Sequence, residues 1–216
     1  MGITVLIADD HRIVREGLKS LLGIEPDIKV IDEAEDGREA VRKANERKPE
    51  VVIMDISMPQ LNGVEATRQI LHEQPATKVI ALSMHTEHEF IRRVLNTGAS
   101  AYLYKDCAAD ELVTAIHRVK AGKKFLGQDI SDLLFREFVE SKWIEPDPCC
   151  KSLSNREQEV LQLITEGNST KKISEILFIS VKTVESHRKN IMDKLQLFSI
   201  SELTKYAIRN GITTLE

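Results

Sequence analysis

The feature that most constrains the fold is the stretch VVIMDISMP, Val51 to Pro59. Four consecutive apolar residues, three of them β-branched, are too short a run for a helix, and Met58-Pro59 forbids regular continuation. This pattern reads as a parallel strand buried on both faces. It ends on Asp55, so the strand delivers a carboxylate to the carboxyl edge of a sheet, where open α/β sheets bind their ligands. Asp55 is placed for chemistry, not lost in a core.

The rest of the first half alternates in the same way. Strands are expected at Ile3 to Ala8, Lys29 to Ile31, Val51 to Met54, Lys78 to Ser83 and Ala101 to Tyr104. Helices are expected at Arg12 to Leu22, Gly37 to Arg47, Val64 to Gln74, Glu87 to Thr97 and Ala109 to Ala121, with Pro49, Pro75, Gly98 and Gly122 as stops. In the first helix Ile13, Val14, Gly17, Leu18, Leu21 and Leu22 form the apolar side, and Arg12, Arg15, Glu16 and Lys19 the polar one. Five strands each followed by a helix make an α/β doubly wound, five-stranded parallel sheet.

The chain has 216 residues, enough for two small domains, with 30% charged and 42% apolar residues. That balance argues against disorder. No apolar run approaches the roughly 20 residues that cross a bilayer, and Met1 to Asp10 enters a strand without a basic leader, so a cytoplasmic location without membrane contact is expected. Cys107, Cys149 and Cys150 have no metal-ligand spacing and read as reduced thiols. The net charge is −4, yet residues 149 to 216 carry ten Lys and Arg against eight Asp and Glu, a positive balance that gains meaning only with a motif behind it.

The fold would gather the polar residues at strand ends: Asp9 and Asp10, Asp55, Ser83 and Lys105. Three carboxylates held close repel one another unless a hard cation takes them up, and Mg²⁺, which accepts carboxylates, waters and phosphate oxygens, suits the set. Lys105 supplies a point charge for a carboxylate or a phosphoryl oxygen, and Ser83 a hydroxyl donor. The arrangement is built to accept a phosphoryl group on Asp55. His85 and His88 follow in the next loop, and His11 sits at the rim.

In these motifs residues 1 to about 122 resemble the receiver domain of two-component response regulators, the CheY-like fold. The matching positions are Asp9-Asp10, Asp55, Met58-Pro59, Gly63, Ser83, the aromatic switch position Tyr102, and Lys105. The resemblance implies phosphoryl transfer to Asp55 from a histidine kinase or a small phosphodonor. It also implies Mg²⁺ on Asp10, Asp55 and the Ser57 carbonyl, with Asp9 acting through water, and a switch in which Ser83 moves inward and Tyr102 fills the space. Asp106 stands where many receivers have proline, which disfavours a cis bond after Lys105 by about 3 kcal/mol.

A receiver domain at 1–124 is thus expected to pass into a linker at 125–150. Phe125 to Trp143 has a helical apolar repeat, and IEPDPCC, Ile144 to Cys150, is a stiff tether. From 151 to 216 the pattern is all-α, with four helices. Capping boxes at Ser154-Asn155-Arg156-Glu157 and Ser199-Ile200-Ser201-Glu202 start the first and last. Between them, Thr170 to Leu177 and Val181 to Leu195 have the short-turn-long form of a helix-turn-helix. Periodicity alone leaves a solvated face and a DNA-reading face equally open.

Residues 152 to 213 resemble the LuxR-type DNA-binding domain through LSNREQEVLQLI, Gly167, KKISEIL, ISVKTVESHRKNI and Lys194-Leu195. Carried over by position, Glu185, Ser186 and Lys189 face base edges, while Lys182, Thr183, Arg188 and His187 contact phosphates or place the helix. Over its whole length the chain is similar to response regulators of the NarL/FixJ class. The resemblance implies a non-enzymatic, phosphorylation-activated transcriptional regulator whose partners are a sensor histidine kinase, double-stranded promoter DNA, RNA polymerase and a second copy of the chain. Two rivals remain: a haloacid dehalogenase-type phosphohydrolase, which needs a second acid where this chain has Ser57, and a regulator whose helical module binds protein or RNA.

Overall fold

The computed structural model describes residues 2–85, 88–132 and 153–213, without the side chains of His88 and Glu89. The chain separates into two compact units, Met1–Lys142 and Trp143–Glu216.

The first unit runs β1 (Ile3–Ala8), α1 (Arg12–Leu22), β2 (Ile28–Ala34), α2 (Gly37–Arg47), β3 (Val51–Asp55), α3 (Gly63–Glu73), β4 (Lys78–Ser83), α4 (His88–Asn96), β5 (Ala101–Tyr104), α5 (Ala109–Lys120) and β6 (Phe125–Leu126). All strand pairs are parallel, in the order β2-β1-β3-β4-β5-β6, so β3 is interior. Its alternate residues explain the unbroken apolar run. Val52 and Met54 join the core with Ala40, Ala44, Val64, Ile70, Ile91 and Val94 of α2, α3 and α4. Val51 and Ile53 face the opposite core, with Leu22 of α1 and Leu112, Ile116 and Val119 of α5. Burying each such side chain is worth about 2 kcal/mol, and the two cores together clamp Asp55 at the strand's end.

Three features depart from the sequence expectations. The sheet has six strands, not five: Phe125 and Leu126, expected to open the linker helix, pair with Ala101 and Tyr102. Two residues are too short for a strand signal, but they satisfy backbone groups on the free side of β5, Phe125 N–H donating to Ser100 O and Gly127 N–H to Tyr102 O. The second strand is longer than expected because its charged end is ion-paired, Asp32 with Lys43 and Arg47, and Glu33 with Lys19. In α1, Ile13 is 88% exposed and Arg15 is buried, the reverse of the apolar pattern. Helical backbone occupies residues 128–132; the remainder of the expected linker helix and the IEPDPCC stretch lie outside the described residues.

The described residues of the second unit form four helices, α6 (Asn155–Thr165), α7 (Thr170–Leu177), α8 (Val181–Leu195) and α9 (Ile200–Arg209). Both capping boxes form, with Ser169 and Ser180 capping the two middle helices. Each such cap is worth about 1 kcal/mol. Val160, Leu161, Ile164, Ile173, Leu177, Val184, Ile191, Leu203 and Ala207 share one core. Gly167, at φ 82°, closes α6 in a conformation that side chains resist.

Candidate functional site

The carboxyl ends of β1, β3, β4 and β5 lie at one edge of the sheet. Asp55 closes β3, Asp9 follows β1, and Lys105 follows β5, its N–H donating to Ser83 O at the end of β4. Asp9 and Asp55 are each 1% exposed. The Lys105 ammonium lies 2.8 Å from Asp9 Oδ2 and 2.7 Å from Asp55 Oδ2, bridging the two acids. Ser57 N–H donates to Asp55 Oδ1 at 3.1 Å. The chain turns back tightly here: Gly63 N–H donates to Ile56 O, Asn62 Oδ1 caps α3, and a Cβ on Gly63 would sit 2.0 Å from Asp55 O.

Burial pushes the Asp55 carboxyl up to about 6, with Asp9 adding to the rise and Lys105 opposing it. Burial alone would lower the Lys105 pKa, but Asp55 and Asp9 outweigh it and hold the ammonium above its ordinary value. At neutral pH the pocket therefore holds an ionised, unusually basic carboxylate beside a firmly protonated amine.

Ser83 is buried, and its Oγ accepts from His85 N–H at 3.0 Å. The His85 ring reaches back, its Nε2 3.2 Å from Ser57 Oγ, and stacks at a tilt on Phe90 with centroids 4.3 Å apart. Tyr102 is buried and its hydroxyl donates to His85 O at 3.0 Å. His85 thus links Ser83, Ser57 and Tyr102, a role that its loop position did not disclose. Cys107 is half-buried, and burial, with Glu111 and Asp106, pushes its thiol up to about 11, so it stays protonated.

Two further residues complete this pocket: Arg15, which spacing did not place there, and His11, expected at its rim as a helix-start residue. Arg15 donates from Nη1 to Asp9 O at 2.7 Å while pairing with Glu33 and Glu35. A buried guanidinium needs such partners, and spacing had placed it on the solvent side. His11 Nδ1 lies 2.8 Å from Asp10 Oδ1 and 3.3 Å from Asp9 Oδ1. One ligand atom each from Asp9, Asp10, His11 and Asp55 fall within 4.8 Å of one another. Asp9 Oδ2, Asp10 Oδ1 and Asp55 Oδ2 are buried with no hydrogen bond beyond these charge contacts. An oxygen-rich set whose carboxylates keep lone pairs beyond these contacts fits a hard divalent cation.

In the second unit, Lys182, Thr183, Glu185, Ser186 and Lys189 are exposed on α8, and His187 and Arg188 are half-buried at the margin of that face. Val184 and Ile191 anchor the opposite side in the core. Ser186 Oγ donates to Lys182 O at 3.0 Å, and Thr183 Oγ1 lies 2.8 Å from the cap Ser180 Oγ. Lys194 in the last turn reaches Glu157 Oε2 at 2.7 Å, tying α8 to the capping box of α6. Phe178, in left-handed backbone at φ 53°, is 95% exposed in the turn before α8.

A parallel sheet ending in an ion-paired acidic pocket, followed by a helix-turn-helix with an exposed polar face, defines a receiver coupled to a DNA-reading module. Residues 5–117 match the response regulator receiver domain, and residues 151–207 the bacterial regulatory proteins of the luxR family. The chain is 41% identical to the oxygen regulatory protein NreC of Staphylococcus haemolyticus, over 96% of this chain and 98% of that one. It is 37% identical to the transcriptional regulatory protein DegU of Brevibacillus brevis, over 97% and 94%. Among solved structures, one of two RcsB dimers bound to two parallel DNAs aligns with a TM-score of 0.60 at 29% identity, covering 97% of this chain and 99% of that one. The chain belongs to the two-component response regulators of the NarL/FixJ class: it is a phosphorylation-activated, DNA-binding transcriptional regulator. Regulators with a DNA-binding domain are typically non-enzymatic. No helix among the described residues is long and apolar enough to cross a membrane.

Proposed function

We propose that Asp55 is the phospho-acceptor, that a sensor histidine kinase is the donor, and that phosphorylation drives the helical module onto promoter DNA as a homodimer in the cytoplasm, without catalysing turnover of a substrate. The observation that carries this reading is the burial of Asp55 against Lys105. A carboxylate with its pKa near 6 is ionised at pH 7.5 yet more basic than an ordinary aspartate, which favours attack on phosphorus. One of its oxygens forms the new P–O bond as the bond to the donor breaks and the donor's imidazole leaves. Lys105 is placed to shift its charge toward the incoming phosphoryl oxygens.

Asp10, Asp55 and the Ser57 carbonyl, with Asp9 through water, would hold Mg²⁺, which supplies charge neutralisation between carboxylate and phosphoryl oxygens. Ser83 then donates its hydroxyl to a phosphoryl oxygen. Doing so draws its Oγ away from His85 N–H and disturbs the loop to which the Tyr102 hydroxyl is bound. The bounds that suit this division are a receiver at 1–124, a linker at 125–150 and a DNA-binding domain at 151–216.

On α8, Glu185, Ser186 and Lys189 would read base edges in the major groove, and Lys182, Thr183, His187 and Arg188 would seat the helix on phosphates. RNA polymerase is the further partner that a transcriptional regulator requires. The test is Asp55→Asn given an acyl phosphate and Mg²⁺. Phosphate incorporation is expected to vanish, and with it the phosphorylation-dependent gain in promoter affinity, while basal DNA binding persists. Undiminished labelling of the variant would overturn the assignment.

A further inference from the structure

We propose that His11 is a direct ligand of the ion that the acidic pocket holds, and that it shifts the pocket's preference from Mg²⁺ toward first-row transition ions. The inference rests on the reading of that pocket as a cation site. Nothing in the receiver chemistry set out above uses this side chain. A residue that only starts α1 would need just its backbone, since His11 O accepts from Val14 N–H and Arg15 N–H and the ring makes no capping hydrogen bond. The ring instead turns back onto the acids, with Nδ1 2.8 Å from Asp10 Oδ1 and 3.3 Å from Asp9 Oδ1.

The backbone fixes that direction. His11 N–H donates to Asp9 Oδ1 at 2.8 Å, so the segment 9–11 folds around its own carboxylate and delivers Nδ1 to the same point as the acids. The four candidate atoms, one each from Asp9, Asp10, His11 and Asp55, fall within 4.8 Å of one another. Ligands on opposite sides of an octahedral ion with bonds of about 2.1 Å stand about 4.2 Å apart. A closure of about half an ångström brings the His11, Asp10 and Asp55 atoms to one centre, with Asp9 held through water. Without an ion the ring's contacts with Asp9 and Asp10 are Nδ1–H donated to the carboxylates; binding an ion requires the other tautomer, with the proton on Nε2, which the 65% exposed side chain leaves in water.

The consequence is selectivity. Three carboxylates alone suit Mg²⁺, which binds oxygen and gives up water reluctantly, whereas imidazole adds affinity for first-row divalent ions. Mn²⁺ is the practical probe, because its pulsed electron spin echo is modulated by a directly bonded ¹⁴N. The full-length protein with Mn²⁺ and no phosphodonor is expected to show that modulation, and His11→Gln to lose it. The variant should also surrender Mn²⁺ to about tenfold less Mg²⁺ than the parent does.

His85 is the control, because its Nε2 lies 3.2 Å from Ser57 Oγ and, among the described side chains, it is the other imidazole at this edge. His85→Gln is expected to keep the nitrogen signal. A signal that survives in His11→Gln, or an unchanged ratio of Mn²⁺ to Mg²⁺ affinity, overturns the role of His11 and leaves the cation site standing. Failure of the parent protein to bind either ion overturns the cation site itself.

Discussion

The two units handle charge in opposite ways. In the first, Asp9, Asp55 and Lys105 are withdrawn from solvent and held by one another at the ends of strands. In the second, Lys182, Glu185 and Lys189 stand in solvent on a helix whose inner side does the packing. A buried charge is expensive unless its partners are placed to a few tenths of an ångström, so the pocket's function is inseparable from the fold around it. An exposed polar helix face costs the fold almost nothing, and its residues can vary while the module stands. Substitutions at the pocket should therefore change stability and function together, whereas substitutions on α8 should separate them.

The largest effect is expected where the fold and the acid meet. A Cβ at Gly63 would lie 2.0 Å from Asp55 O and 2.8 Å from Ile56 Cα, both backbone atoms that cannot step aside. Gly63→Ala must push α3 from the end of β3, at a cost of about 3 kcal/mol to the first unit. Phosphate incorporation on Asp55 should fall with it, and the melting of the helical unit should not move. Chemical denaturation followed by near-ultraviolet signals from each unit, with acyl-phosphate labelling alongside, checks both halves. A variant that unfolds both units at lower denaturant would break the separation.

A smaller effect, of the order of 2 kcal/mol, is expected when the pocket's strain is removed. The folded pKa of Asp55, about 6, lies above its unfolded value of 3.8. The stability it contributes is thus fully present below pH 3.8 and is lost as pH rises through about 6. Asp55→Asn takes no part in this titration, so at pH 7.5 it should be more stable than the parent, with the gap closing as pH falls toward 4. Thermal melts of both proteins across that range measure it; a gap independent of pH would mean that Asp55 is not strained by burial.

The same contrast decides what could be read from residues alone. Asp55, Ser83 and Lys105 were legible because strand ends are marked by composition, and β3 by its unbroken apolar run. Arg15 was not, and His11 was legible only as a residue at the rim, since their contacts depend on a fold in which 9–11 curls back on its own carboxylate and α1 presents a guanidinium to Asp9 O. Helical spacing assigns a charged residue to solvent, and only three-dimensional partners reverse that. The sixth strand escaped for the opposite reason: two residues carry no period, and their pairing is dictated by the unsatisfied edge of β5. In the helical unit the caps and core positions follow local rules, so Ser154, Glu157, Ser199 and Glu202 took the places that their spacing gave them.

Glu157 is where the helical unit comes nearest to the pocket's use of charge. It is buried, it completes the capping box at Ser154, and its Oε2 lies 2.7 Å from the Lys194 ammonium in the last turn of α8. Burial works against its ionised form, but hydrogen bonds from Lys194 and from Ser154 outweigh this and hold its pKa below the ordinary glutamate value. The stability it supplies is therefore present above pH 4.5 and is lost as pH falls through the lower, folded value. Glutamine at N3 still accepts from the cap, so Glu157→Gln isolates the charge pair. The expected loss at pH 7 is about 1 kcal/mol, because Lys194 remains partly in water, and parent and variant should converge as pH falls through that lower, folded value. Asp55→Asn and Glu157→Gln should thus shift stability in opposite directions at neutral pH. A Glu157→Gln variant as damaging as Gly63→Ala would instead place a buried charge at the centre of both units.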